Sequence, residues 1–156
     1  KNFFVEIAND NSEGQIVLSG KNDQLLKLID VLKFQKIKNI KLPVSAPFHC
    51  SLMNKATSVM KKEIEKIEFK VSEKKLISNV TADVIQNKDE LQKLLIQQIE
   101  NRVRWRESII KMIDIGVNHF IEIGSGKVLS GLVKRINKDV KIDTINSESD
   151  INNLRI

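Results

Sequence analysis

The residue best suited to acid–base chemistry in this sequence is His49, which lies in the stretch LPVSAPFHCSLM over residues 42–53. The only two prolines of the chain, Pro43 and Pro47, both precede it. Each proline fixes its own φ at about −65° and favours an extended backbone in the residue before it, so this stretch is stiff. Because imidazole exchanges protons near neutral pH, a stiffly held His49 could act as general base and then general acid. A purely structural histidine in a turn is the alternative.

The neighbours of His49 add less chemistry. The side chain of Cys50 is expected to point away from the imidazole and to pack as a small residue. We expect Ser51 to cap a following helix. His119, at the start of a predicted strand, is expected to be structural. One cysteine, two histidines and scattered carboxylates show no zinc-ligand spacing, so no metal site is predicted.

Two further patterns are better explained by structure than by ligand binding. Residues 124–127, GSGK, resemble the end of a phosphate-binding loop, but they lack its upstream glycine and the Ser or Thr that follows the lysine. A tight turn from strand to helix is therefore predicted. Arg102, Arg104 and Arg106 surround Trp105 at the start of a predicted helix, where we expect a solvated basic surface.

The elements that must position His49 follow from hydrophobic periodicity and turn residues. Two strands joined by a polar turn are predicted first, then a helix capped by Asn22 or Asp23. A third strand, residues 39–44, leads to His49. Further on, strand-like and helical stretches alternate, as in parallel α/β sheets. The predicted strands cover residues 3–8, 15–19, 39–44, 76–80, 119–123 and 141–145, and the helices cover 53–67, 88–100, 105–115, the stretch after the GSGK turn and a short capped segment at 147–154.

Composition limits the class of protein. At 156 residues the chain suits one ordinary domain, and no apolar run approaches the roughly 20 residues that span a bilayer. A single cysteine and the lack of a signal-peptide pattern fit the cytoplasm. The net charge of +6 comes mainly from lysine, and aromatic residues are only 4%, which argues against a nucleic-acid reader. A solvated lysine-rich surface, or weak steering of an anionic partner, is expected instead.

Taken together and in order, several segments resemble the C-terminal half of the malonyl-CoA:acyl carrier protein transacylases of bacterial fatty-acid synthesis. The segments that carry this resemblance are residues 6–11 (EIANDN), 14–20 (GQIVLSG), 42–50 (LPVSAPFHC), 78–82 (SNVTA), 103–108 (VRWRES) and 122–132 (EIGSGKVLSGL).

The resemblance implies a ping-pong transfer of malonyl from malonyl-CoA, through a serine, to the phosphopantetheine thiol of acyl carrier protein. In that family the residue matching His49 activates the serine, and a backbone carbonyl, here that of Gln98, orients it. The residue matching Phe48 restricts the pocket to malonyl. Asn11 and Gln15 fall in a family segment near the substrate cleft. No cofactor, metal, membrane or nucleic acid is implied.

The same resemblance defines what the sequence lacks. No serine stands in a Gly-x-Ser-x-Gly nucleophile elbow, and none of the five arginines has the context of the family's malonyl-binding arginine. The expected fold class is α/β. Residues 1–45 form an incomplete ferredoxin-like subdomain without its first strand and helix, and residues 46–156 form the C-terminal part of an α/β-hydrolase-like acyltransferase subdomain with a parallel sheet. We expect a segment that needs the N-terminal half of the enzyme and is inactive alone. The alternative is a non-catalytic module that binds acyl carrier protein or another acidic partner.

Overall fold

A computed structural model describes residues 3–70 and 72–154. The architecture is mixed α/β, with an antiparallel pair of strands early in the chain and a parallel pair late, which confirms the expected fold class. The elements are β1 (Val5–Ser12), β2 (Gln15–Gly20), α1 (Asn22–Phe34), a 3₁₀ turn (Ser51–Met53), α2 (Asn54–Ile64), α3 (Lys88–Gln97), α4 (Trp105–Asp114), β3 (His119–Ile123), α5 (Val128–Ile136), β4 (Lys141–Ile145) and α6 (Glu148–Asn153).

The early sheet is the hairpin of β1 and β2, in which Ser12 faces Gln15 across the turn. Gly14 takes a φ of 73° there, a backbone that glycine adopts without strain. β1 also docks on the rest of the chain through backbone hydrogen bonds. The amide of Asp10 donates to the carbonyl of Val103 at 2.9 Å, and the amide of Val103 donates to the carbonyl of Ala8 at 2.8 Å. The hairpin is thus fixed to the segment between α3 and α4.

The late sheet is the parallel pair β3 and β4, connected by α5, with His119 opposite Lys141. The hydrophobic core lies where α4 and α5 pack on this pair, because both helices direct apolar side chains toward it. Its buried members are Ile109, Val133 and Val140, and Trp105, Met112, Ile113, Phe120, Ile136 and Ile142 pack around them.

Two of the strands predicted from sequence are absent from the described residues. Residues 39–44 belong to no strand or helix, the amide of Val44 donates to the carbonyl of Leu42 at 2.9 Å, and Ile40 is 76% exposed. Residues 76–80 form part of a turn, with a single antiparallel bridge between Ile77 and Val84. Both segments have apolar residues suited to strands, but a strand also needs a neighbouring backbone to pair with, and the described chain offers neither segment a ladder.

Two of the predicted helix caps were also wrong. α1 begins after Lys21 and no side chain caps it, so neither Asn22 nor Asp23 plays that role. The hydroxyl of Ser51 does not cap its own helix but contacts Glu6. The capped segment predicted from residue 147 is confirmed, because Ser147 and Asp150 form a capping box at the start of α6.

Among residues 3–70 and 72–154, no helix has both the length and the apolar character needed to cross a membrane. Several large apolar side chains nevertheless face outward on the early half of the chain, including Phe4, Phe34, Ile40 and Val44.

Candidate active site

His49 lies in a turn whose backbone is unusual. Its φ is +58°, in the left-handed region that residues with a Cβ seldom occupy, and such residues are concentrated at active sites. The turn is closed on its N-terminal side, where the amide of Phe48 donates to the carbonyl of Ala46 at 3.0 Å. The thiol of Cys50 is buried and donates to the carbonyl of Pro47 at 3.2 Å, as expected of a packed small residue. The turn is therefore held in one strained conformation.

The imidazole of His49 contacts the C-terminal end of α3. Its Nδ1 atom lies 2.9 Å from the backbone carbonyl oxygen of Gln98, and the side-chain amide of Gln98 lies 3.4 Å away. Gln98 is the C-cap of α3, so its carbonyl has no partner within the helix and is available to another donor. Because a carbonyl only accepts hydrogen bonds, Nδ1 carries the hydrogen of the neutral ring and Nε2 carries the lone pair.

The Nε2 atom of His49 makes no hydrogen bond to any residue that the structure describes. His49 as a whole residue is partly exposed. A histidine whose Nδ1–H is anchored and whose Nε2 is free has the arrangement of a general base toward a hydroxyl or thiol. Within the described residues, however, no serine or cysteine is hydrogen-bonded to this nitrogen.

The other site residues expected from sequence are placed differently. Phe48 is next to His49 and is 48% exposed, so its ring is available to a ligand or to another segment. Gln15 is hydrogen-bonded through its side-chain oxygen to Arg135 of α5. Asn11 is half-buried in β1. No hydrogen bond among the described residues links Asn11 or Gln15 with His49, and their role in a cleft stays a prediction.

Sequence reasoning missed a contact on the C-terminal side of the His49 turn. The carboxylate of Glu6, in β1, accepts hydrogen bonds from the backbone amide of Ser51 at 3.1 Å and from the Ser51 hydroxyl. In the sequence, Glu6 stands out only as part of the EIANDN segment. The two residues are 45 positions apart, and no local pattern indicates that they meet.

The arginines around Trp105 are not a free basic surface, contrary to expectation. Arg102 and Arg104 both pair with Glu107, and Arg106 pairs with the buried Asp10 of β1 at 2.7 Å. The hydrogen bond from Arg104 holds the pKa of Glu107 below its usual value, and the one to Asp10 raises the pKa of Arg106. The three positive charges are thus paired with two carboxylates, and the Arg106–Asp10 pair joins α4 to the hairpin.

The GSGK stretch forms the tight turn from β3 to α5 that the sequence predicted. Gly124 and Gly126 both have positive φ, at 138° and 96°. The carboxylate of Glu122 accepts from the amides of Leu129 and Ser130 at 3.1 Å and 2.7 Å. The Ser130 side chain, and after it these backbone amides, lower the pKa of Glu122. A carboxylate already occupies this helix start, where a phosphate would bind.

His119 has a structural environment. Its Nε2 lies 2.7 Å from a carboxylate oxygen of Asp143 on the paired strand, and this contact lowers the pKa of Asp143. Over the part of the chain that the structure describes, no group of three or more His, Cys, Asp or Glu side chains is arranged to hold a metal ion.

Comparison with known proteins gives the class to which this fold and site belong. No family model matches the chain. The fold matches solved structures of transacylases that act with acyl carrier protein. The crystal structure of the transacylase from Clostridium perfringens has a TM-score of 0.91 and 40% identity. This match covers 97% of this chain and 48% of the other. A malonyl-transacylase solved in complex with its type II PKS acyl-carrier protein has a TM-score of 0.89 and 32% identity, covering 96% of this chain and 48% of that one.

The sequence comparison agrees. The malonyl-CoA:acyl carrier protein transacylase of Bacillus subtilis is 43% identical over 139 residues, which are 88% of this chain and 44% of the relative. The chain belongs to the malonyl-CoA:acyl carrier protein transacylase family and corresponds to the C-terminal part of its fold. It spans about half the length of the curated relatives that it matches.

Proposed function

We propose that this chain provides the general base of a malonyl-CoA:acyl carrier protein transacylase, with His49 as that base. The observation that carries the proposal is the anchored Nδ1 of His49, 2.9 Å from the carbonyl of Gln98, with Nε2 free of hydrogen bonds to the described residues. The backbone strain at His49 supports it, because a left-handed histidine persists only where its surroundings hold it.

The reaction has two transfers. In the first, Nε2 of His49 accepts the proton of a serine hydroxyl as that oxygen attacks the thioester carbonyl of malonyl-CoA. The carbon–sulfur bond breaks, the coenzyme A thiolate takes the proton from the imidazolium, and malonyl-serine remains. In the second, His49 takes the proton of the phosphopantetheine thiol of acyl carrier protein. The thiolate attacks the malonyl ester, and the serine oxygen leaves and regains the proton.

Other residues of the chain have supporting roles in this proposal. The carbonyl of Gln98 accepts the Nδ1–H bond, which fixes the tautomer and stabilises the imidazolium that forms in each step. Phe48 limits the size of the acyl group, and Asn11 and Gln15 line the substrate cleft. The reaction needs no cofactor, and its partners are malonyl-CoA and acyl carrier protein.

The serine and the group that binds the malonyl carboxylate come, in this proposal, from a segment equivalent to the N-terminal half of the relatives. The chain by itself is then inactive. The structure is consistent with such a partner, because Nε2 of His49 has no hydroxyl within the described residues to act on and apolar side chains such as Ile40 and Val44 face outward.

The test combines this chain with the N-terminal half of the Bacillus subtilis relative and follows the transfer of radiolabelled malonyl from malonyl-CoA to acyl carrier protein. Transfer is expected only when both halves are present. His49→Ala should lower the transfer rate by roughly 10²- to 10⁴-fold, the usual contribution of a general base. His119→Ala is the matched control and should leave the rate unchanged. Full activity of His49→Ala would remove His49 from the mechanism.

A further inference from the structure

The strained turn at His49 needs restraints on both sides, and only some of them belong to the turn itself. The thiol of Cys50 and the amide of Phe48 secure the residues before and around His49. The imidazole is secured by Gln98. After His49, Cys50 is extended, with φ −147° and ψ 169°, and the chain then enters the 3₁₀ turn and α2. The C-terminal side of the turn is therefore fixed by whatever holds residue 51.

Glu6 holds it. Both carboxylate oxygens of Glu6 lie within hydrogen-bond distance of the Ser51 amide, at 3.1 Å and 3.3 Å, and one of them also accepts from the Ser51 hydroxyl. Hydrogen bonds to an ionised acceptor are stronger than neutral ones, and the carboxylate also faces the positive end of the helical run that begins at Ser51. No side chain within that run caps its start.

The position of Glu6 is set independently of the turn. β1 is paired with β2 over its length and hydrogen-bonded to Val103 through Ala8 and Asp10. Val103 in turn follows the loop that begins at Gln98. β1 thus carries the Glu6 carboxylate that binds residue 51, and the loop that begins at Gln98 provides the carbonyl that binds the His49 ring. These two backbone segments are hydrogen-bonded to each other.

We infer that Glu6 is a positioning residue for His49: its carboxylate keeps the His49 turn in the left-handed conformation that joins Nδ1 to Gln98 and leaves Nε2 free. This inference rests on the proposed role of His49 as the base. Glu6 contacts neither the imidazole nor any reacting atom in this scheme, and it acts only through Ser51. Its loss is expected to lower the transfer rate less than the loss of His49, by roughly 3- to 10-fold, because a base that is misplaced part of the time still functions part of the time.

The distinguishing measurement does not depend on activity. The chain has only two histidines, so selective ¹⁵N and ¹³C labelling of histidine gives two sets of signals, one for His49 and one for His119. In the assembled protein, that is, this chain with the N-terminal half of the Bacillus subtilis relative, His49 should show the Nδ1–H tautomer and the Cα shift of a left-handed residue. In Glu6→Ala the His49 signals should move toward a mixture of tautomers and an ordinary Cα shift, while the His119 signals stay in place.

Two variants make the result specific. Ser51→Ala keeps the amide and loses the hydroxyl, so it should move the His49 signals in the same direction by a smaller amount. Glu68→Ala removes an exposed carboxylate without a polar partner among the described residues and should move nothing. If Glu6→Ala fails to fold, shown by loss of the His119 signals, Glu6→Gln decides the matter. It keeps the size and one acceptor oxygen and should give an intermediate shift.

Unchanged His49 signals in Glu6→Ala, or in Glu6→Gln where the first variant does not fold, overturn the inference. The rate measurements separate this failure from that of the proposed function. If His49→Ala transfers malonyl at the full rate, His49 is not the base, whatever its tautomer. If His49→Ala is inactive and Glu6→Ala keeps both the full rate and the wild-type His49 signals, only the role of Glu6 is wrong.

Discussion

The imidazole of His49 is held by a backbone atom, the carbonyl oxygen of Gln98, 2.9 Å from Nδ1. Because a carbonyl oxygen can only accept a hydrogen bond, this contact places the hydrogen of the neutral ring on Nδ1 and leaves the lone pair on Nε2. The orienting group also cannot be removed by any change of side chain at position 98.

Gln98→Ala is therefore expected to transfer malonyl at close to the unsubstituted rate, within about 3-fold, a change of less than 1 kcal/mol in the barrier. Within the part of the chain that the structure describes, the Gln98 side-chain amide makes only long contacts, at 3.4 Å to His49 Nδ1 and 3.3 Å to the carbonyl of Asn101. The rate is measured in the assembled protein, with His49→Ala as the inactive reference. A loss for Gln98→Ala as large as for His49→Ala would mean that the side chain, and not the carbonyl, orients the base.

The backbone of His49 predicts an unusual order of stabilities. With φ at +58°, any residue with a Cβ is strained there, and glycine is not. His49→Gly should therefore be more stable than His49→Ala by about 1 kcal/mol, although both are inactive. Chemical denaturation of the two variants measures the difference.

The control for this pair is an exposed position in a regular helix. At Lys93 in α3, glycine should instead be less stable than alanine by about 1 kcal/mol, the usual helix penalty. If His49→Gly is the less stable of its pair as well, the left-handed backbone at His49 is not a property of the folded protein.

Local patterns were sufficient for the elements whose partners are close in sequence. The hairpin of β1 and β2, the helices α3 and α4, and the β3–α5–β4 unit all follow from turn residues and apolar periodicity. Residues 39–44 and 76–80 have the same kind of strand-like sequence and still form no ladder. An apolar pattern indicates that a segment can form a strand. Whether the segment pairs in a sheet depends on which backbone lies beside it.

Local sequence patterns could not predict the polar contacts of the site, for a related reason. Glu6 meets Ser51 and Asp10 meets Arg106, 45 and 96 positions away. Each is a tertiary contact created when β1 docks on the segment that contains Val103. Sequence alone made Arg106 look like a solvated charge, because the acid that neutralises it lies in another element.

The core around Ile109 offers a test of the fold with an adjacent control. Ile109 is fully buried and packs with Val133 and Val140, whereas Ile110, its neighbour in α4, is 44% exposed. Ile109→Ala should lower the free energy of unfolding by about 2–5 kcal/mol, the range for large-to-small changes in a core. Ile110→Ala should cost about 1 kcal/mol or less. Equal costs, measured by denaturant unfolding, would contradict the packing of α4 described above.

The outward-facing apolar side chains predict association. Phe4, Phe34, Ile40 and Val44 are each more than half exposed, on the part of the chain where residues 39–44 also lack a pairing strand. We expect the chain alone to bind an apolar dye and to self-associate, and to form a 1:1 complex with the N-terminal half of the Bacillus subtilis relative that no longer does so. Light scattering and dye fluorescence report both states.

The control for association is His49→Ala, which removes the base and leaves the apolar surface intact. It should form the 1:1 complex as the unsubstituted chain does. If the chain alone is monomeric, binds no dye and unfolds cooperatively, it does not require another segment for stability.

The pH dependence of stability should carry a contribution from Glu107. Its pKa is lowered from 4.5, chiefly by the hydrogen bond from Arg104 and further by the charges of Arg104, Arg102 and Arg106, against the opposing effect of burial. Because the folded-state pKa is the lower one, the ionised Glu107 stabilises the protein above about pH 4.5, and this stabilisation is lost as the pH falls through the folded-state pKa.

Glu107→Gln should therefore lower stability at pH 7 and make the decline below pH 4.5 shallower. The decline should not vanish, because the pKa values of Asp83, Glu122, Asp143 and Asp150 are lowered as well. Denaturant unfolding of the assembled protein from pH 7 to 3 measures the two curves. Glu68→Gln is the control, because Glu68 has no polar partner among the described residues. An acid decline as steep in Glu107→Gln as in the unsubstituted protein would show that the pairs with Arg102 and Arg104 contribute nothing to folding.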